Sequence, residues 1–262
     1  MTATPAEPPV PDLEPGLGLR GSTALVTGGA RGIGAAVAAR LSAAGVRGVA
    51  LDLQAGEAVP AGWSCATVDV RDTTALAGAV DAAASELGRL DVVVAAAGVV
   101  PPWRQLAEVS FDEWDDVFAV NARGLAATLQ AARPAMGRGG SFVGVGSLNS
   151  WRGDRNLMSY VASKHAVLGI VRSAALELGP SGIRVNAVGP GPVATQALLG
   201  RLERRHAAGG PSPEEALETA GRGTALRRVA TVEEVASAVL FLASPLSSGI
   251  TGHLLPVDAG IH

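Results

Sequence analysis

Tyr160 is the only tyrosine in this 262-residue chain, and Lys164 is the only lysine among its 21 lysines and arginines. Both sit in "SYVASK" (159–164), four residues apart. If the stretch is helical, they lie one turn apart on the same face. An unperturbed phenol titrates near about 10 and is a poor base at neutral pH. A cation beside it favours the phenolate. A compact ammonium can also donate to sugar hydroxyls, a contact that a planar guanidinium does not reproduce. A proton-transfer pair is therefore the chemistry these two residue types offer. On spacing alone, an exposed polar pair is the simpler account, so the surrounding elements must decide.

A second chemical signal is "TGGARGIG" (27–34), with Gly28, Gly32 and Gly34 around Arg31 and Ile33. It follows a short apolar run and opens a helical pattern. Glycines there let the backbone turn tightly and approach a pyrophosphate at a positive helix N-terminus. The next apolar run ends in Asp52. A carboxylate at that place accepts hydrogen bonds from adenosine ribose hydroxyls and repels a 2′-phosphate, which favours NAD over NADP. Arg31 lies where it could meet a phosphate, although a solvated surface arginine explains it as well.

The elements that must position these groups alternate along the chain. Short apolar runs at 23–26, 48–52, 65–68, 90–96, 141–146, 183–188 and 253–257 read as strands, mostly continuous in apolar character as in a parallel sheet buried on both faces. Between them run helical patterns. Asp72 is an expected N-cap, Gly88 a helix stop, and "SFDE" (110–113) and "TVEE" (231–234) are expected capping boxes. The expectation is an α/β, Rossmann-like, doubly wound fold with a seven-stranded parallel sheet and helices on both faces. Residues 1–18, rich in proline, are expected to form a disordered arm, and 19–262 a single domain.

The net charge of −3 offers no electrostatic reason for nucleic acid or an anionic membrane as partner. The single cysteine, Cys65, cannot close an internal disulfide, and one Cys with four scattered His offers no metal ligand set. The longest apolar run, bounded by Asp91 and Pro101, is too short to span a bilayer. A cytoplasmic location follows as an expectation. A hydrolase is disfavoured because Ser147 has Val145 where the G-x-S-x-G elbow needs glycine.

Over about residues 20–260 the chain resembles the short-chain dehydrogenases/reductases. The resemblance rests on "TGGARGIG", "VDV" (68–70), "VNARG" (120–124), Ser147 thirteen residues before Tyr160, "YVASK", "IRVNAVGPGPVAT" (183–195) and "ITGHLLPVDAG" (250–260), in that order. It implies Tyr160 as the catalytic acid/base and Lys164 as the residue that binds the nicotinamide ribose and lowers the tyrosine pKa. Ser147 would hydrogen-bond the substrate oxygen, and Asn121 would hold a relay water. It places Asp69 and Val70 at adenine, the backbone of Ala96, Ala97 and Gly98 on the cofactor side, and Pro190, Gly191, Val193 and Thr195 beside nicotinamide. One departure is "AAAG" (95–98), where Ala96 replaces an asparagine that normally braces the sheet.

The function implied is hydride transfer between NAD and a secondary alcohol or ketone. The alternative is a non-catalytic NAD-binding sensor or structural protein of the same fold. By the same analogy Val99, Trp103, Ser147, Asn149 and Trp151 line the substrate pocket, with a mobile segment over about 196–223. The tryptophans favour an apolar or cyclic substrate. In that segment Arg201, Arg204, Arg205 and His206 could receive a carboxylate, but a solvated helix face is the favoured reading. The resemblance also implies a homotetramer paired through helices at about 111–135 and 160–178, the second of which is apolar on several sides.

Overall fold

The computed structural model describes residues 17–54, 56 and 58–261. All of the expected arm except Leu17 and Gly18 lies outside the described residues. Seven strands, β1 (Thr23–Thr27), β2 (Arg47–Asp52), β3 (Ser64–Thr67), β4 (Val92–Ala95), β5 (Ser141–Val145), β6 (Arg184–Pro190) and β7 (Leu254–Val257), form one sheet. Every pairing is parallel, in the order β3-β2-β1-β4-β5-β6-β7. This is the expected Rossmann-like architecture. β6 runs two residues past its expected end, because Gly189 and Pro190 still pair with Pro256 and Val257.

Alternate strand residues feed two apolar layers. Leu25, Val93, Phe142 and Val185 pack with α2 (Thr73–Leu87), α4 (Leu125–Ala132) and α5 (Met158–Leu178). Ala24, Val26, Val94 and Val143 pack on the other face with α1 (Gly32–Ala43) and α8 (Val232–Ala243). The central strands are therefore mostly apolar, and β4 is apolar at every position, because both faces are covered. Asp72 caps α2 by accepting from the amides of Thr74 and Ala75, and Gly88 ends that helix in the left-handed conformation. The capping box at Thr231 and Glu234 forms in both directions. The one expected at Ser110 forms only halfway: Ser110 Oγ accepts from the Glu113 amide, but the Glu113 carboxylate turns to Arg104 instead. A fork of two charge-assisted bonds outcompetes one bond to a neutral amide.

From β3 the chain crosses to β4 on the far side of β1, so a crevice opens beyond the C-terminal ends of β1 and β4, where such folds bind ligands. The turn after β1 depends on close approach. A Cβ on Gly34 would overlap the carbonyl oxygen of Gly28, and one on Gly28 would lie 2.7 Å from the Ala97 amide nitrogen. Gly78, exposed within α2, meets nothing within 4 Å. Gly34→Ala is therefore expected to destabilise the fold, whereas Gly78→Ala should stabilise it by about 0.5–1 kcal/mol through helix propensity. Equilibrium urea unfolding of the two variants checks the opposite signs.

Candidate active site

The chemistry-bearing residues gather at the C-terminal edge of the sheet. α1 begins directly after the glycine turn, with Arg31 as N-cap making no side-chain cap bond and with no acidic residue in the first turn. By contrast, α2, α3 (Phe111–Phe118), α6 (Gln196–Ala207), α7 (Pro213–Arg222) and α8 are all capped by side chains. An uncapped N-terminus behind a turn that admits no Cβ fits a pyrophosphate. Thr195, the N-cap of α6, brings its methyl group to 4.0 Å from where a Cβ on Gly32 would sit. The end of β6 at Pro190 and the segment after it, with Gly191 and buried Val193, thus close over the same turn. Ile33, half-buried, packs beneath it.

Asp52 is buried at the end of β2. Its Oδ2 accepts from the Ala30 amide at 3.1 Å and its Oδ1 from the Leu53 amide at 2.8 Å. The exposed Arg31 places Nη2 3.6 Å from Oδ1. Arg31 therefore stands against the carboxylate instead of apart from it. Asp69 is engaged by Arg71, whose Nε donates at 2.8 Å and which also pairs with Asp116. That hydrogen bond holds the Asp69 carboxyl below the usual carboxylate range. Val70 beside it is buried under Gly124.

The expected catalytic residues meet. Lys164 is buried, and its Nζ donates to the Val145 carbonyl at 2.8 Å, 5.7 Å from the centroid of the Tyr160 ring. Burial lowers the Lys164 pKa from 10.5 to about 8. Burial dominates and raises the Tyr160 phenol above its ordinary value, so the lowering expected from Lys164 is not found; the Ser147 side chain and the Arg201 charge pull it down less, and Asp154 adds to the rise. Ser147 follows β5. Its Oγ accepts from the Asn149 amide at 3.1 Å, which leaves the hydroxyl proton free to donate.

Asn121 sits on a π-helical turn, Ala119–Gly124, between α3 and α4. Such turns recur at functional sites. Its Oδ1 accepts from the Val99 amide at 2.8 Å, and its Nδ2 donates to the Val99 carbonyl at 2.9 Å and to Ser163 Oγ at 3.1 Å. Both amide hydrogens are thus engaged, and neither is free for a relay water. What the side chain does here is brace the loop after β4, the loop in which Ala96 cannot. Gly98 fits between them: a Cβ there would lie 3.4 Å from Asn121 Oδ1 and 3.7 Å from Lys164 Nζ.

The substrate side differs more from expectation. The segment at 196–223 is mostly helical, as α6 and α7. Arg204, Arg205 and His206 are exposed, although Arg205 brings its guanidinium carbon to 5.3 Å from the Trp103 ring centroid. Arg201 is not: its guanidinium carbon stacks 4.0 Å from the Trp103 ring centroid, and burial lowers its pKa. Val99 is partly exposed at the rim, and Asn149 is buried with Nδ2 3.4 Å from Asp154. Trp151 lies apart, lining a cleft with Leu168, Arg172, His253, Leu254 and Pro256. Sequence reasoning missed Ser163, whose hydroxyl donates to the Tyr160 carbonyl, and Arg71. Ser163 stands one helical turn from Tyr160, which is the signal that could have found it.

The family profile described as enoyl-(acyl carrier protein) reductase matches residues 28–262. The (−)-isopiperitenol/(−)-carveol dehydrogenase of Mentha piperita is 39% identical, over 93% of this chain and 94% of its own. A (+)-cis,trans-nepetalactol synthase of Nepeta racemosa is 38% identical, over 93% and 94%. Among solved structures, carveol dehydrogenase from Mycobacterium avium in complex with NAD superposes with a TM-score of 0.85 at 35% identity, covering 92% of this chain and 97% of that one. With the glycine turn, the switch-point crevice and the Ser147, Tyr160 and Lys164 cluster in place, the chain belongs to the short-chain dehydrogenase/reductase family of oxidoreductases.

Proposed function

We propose that this protein is an NAD-dependent dehydrogenase of secondary alcohols, running in reverse as a ketone reductase. The observation that carries the reading is the Tyr160 phenol against the Ser147 hydroxyl at the end of β5, with the buried Lys164 ammonium 5.7 Å from the ring centroid. NAD, when bound, supplies the hydride acceptor. The amides of the Gly28 turn and of the α1 N-terminus would hold its pyrophosphate, Asp52 the adenosine ribose, and Lys164 the nicotinamide ribose. Ser147 donates to the substrate oxygen. Tyr160 passes a proton to that oxygen in reduction and takes one from it in oxidation. The terpenoid alcohols named for two relatives support a cyclic secondary alcohol as substrate. The exposed Leu176 and half-buried Val161 and Ile170 on α5 support assembly as a homotetramer.

The test is absorbance of NADH with a panel of cyclic secondary alcohols. Tyr160→Phe keeps the ring and removes the acid/base, so turnover should fall about a hundred- to ten-thousand-fold while NAD affinity stays near wild type. Absence of NADH formation in the wild type would sink the reading. Asp52 predicts cofactor choice: NAD should bind more tightly than NADP, and Asp52→Ala should narrow the gap. Titration of both cofactors into both proteins measures it, and equal affinities in the wild type would contradict it.

Lys164 makes a prediction about stability. Its folded pKa of about 8 lies below the unfolded 10.5. The folded state therefore holds the proton less tightly, at a cost of up to about 3 kcal/mol that is complete below pH 8 and fades as pH rises to 10.5. Lys164→Met should therefore melt higher than wild type at pH 7, with the advantage shrinking towards pH 10. Thermal unfolding across that range checks it; a gap that widens with pH would contradict it.

A further inference from the structure

We propose that Arg201 forms a substrate-anion site, and that the substrate of this enzyme carries a carboxylate besides its reacting alcohol or ketone. The inference rests on the dehydrogenase reading for the rest of the substrate. Its own basis is one guanidinium. Arg201 lies on α6, in the segment that closes over the glycine turn, and its charge acts on the Tyr160 phenol. Its flat face is taken by the Trp103 ring, at 4.0 Å from the centroid. A cation–π contact uses the face of a guanidinium and leaves its in-plane N–H edge to be satisfied separately. Here that edge is not satisfied: Nε and Nη2 are both buried and have no hydrogen-bond partner among the described residues.

Those two nitrogens are not an arbitrary pair. They form the side of a guanidinium that grips both oxygens of a carboxylate. This protein contains an example in Arg104, whose Nε donates to Glu113 Oε1 at 3.0 Å and whose Nη2 donates to Oε2 at 3.0 Å. Arg201 presents the same edge, and no side chain or carbonyl among the described residues pairs with it. Leaving charged donors buried and unpaired is costly, and a ligand that supplies two coplanar acceptors recovers that cost. Asp154 is the protein's own candidate counter-charge, since it acts on both Arg201 and Tyr160. It makes no ion pair with Arg201, and its Oδ2 lies 3.4 Å from Asn149 Nδ2 instead. Arg204 also acts on Arg201, is positive and adds to the attraction for an anion.

The site is tested by binding, without turnover. The full-length protein is titrated calorimetrically with cyclohexanecarboxylate and with the neutral cyclohexanecarboxamide. The carboxylate should bind about ten- to a hundredfold more tightly. Arg201→Gln should bring the two ligands to parity, and Tyr160→Phe should preserve the preference. Equal affinities in the wild type would overturn the proposal. So would a preference that survives Arg201→Gln, or one that appears only in Asp154→Asn, which would assign Arg201 to Asp154. A kinetic arm separates this from the underlying reading. NADH formation with neutral cyclic alcohols, but no gain for 3-hydroxycyclohexanecarboxylate over its methyl ester, would overturn the anion site alone. A carboxylate preference in binding without NADH formation from any alcohol would uphold the site and overturn the dehydrogenase reading.

Discussion

The bond from Lys164 Nζ to the Val145 carbonyl sets the rest of the site. Val145 ends β5, and Ser147 follows two residues later. Once the ammonium is anchored there, the register of α5 against the sheet is fixed. Tyr160, one helical turn back, is carried to the Ser147 side. Gly98 lies against the same anchor, where a Cβ would come to 3.7 Å from Lys164 Nζ, and Ser163 ties α5 to Asn121 and the loop after β4. One short contact between a charged side chain and a strand end thereby orders residues drawn from the ends of β4 and β5, from α5 and from the π-helical turn.

Such an arrangement is tolerable only where the polar groups are concentrated. The two core layers are built of apolar side chains, with a few hydrogen-bonded polar groups such as Thr128, Ser141 and Asn186 among them. The buried Lys164, Ser147, Asn149 and Asn121 cluster instead at the sheet's C-terminal edge. The ammonium there is held at a cost in stability, because burial disfavours its charged form. Tyr160, half-buried and with its phenol raised by desolvation, stays protonated at neutral pH, the form that donates to a carbonyl oxygen. The stability of the fold is carried by the apolar layers, and its edge is left free for chemistry.

Much of this was legible in the sequence, for identifiable reasons. The central strands read as mostly apolar runs because both faces are covered, and the glycine turn announces itself because no Cβ fits at Gly28 or Gly34. Tyr160 and Lys164 stood out by being the only ones of their kind. What local pattern could not reveal are contacts made across the fold. Arg201 sits in a run of charged residues that reads as a solvated face, and its partner Trp103 is nearly a hundred positions away. Glu113 has the spacing of a capping box, but Arg104 wins its carboxylate. Trp151 looked like a pocket residue beside Ser147, yet the turn after Ser147 carries it towards β7 and the cleft beside His253.

Since the chain has a single lysine, reductive methylation with ¹³C-formaldehyde gives one side-chain amine resonance besides that of the N-terminus, and a pH titration of it reads Lys164 directly. An ammonium buried at Val145 predicts an inflection near 8. An inflection at 10.5 or above would show an amine in water, and the arrangement of Tyr160 and Ser147 around it would have to be given up.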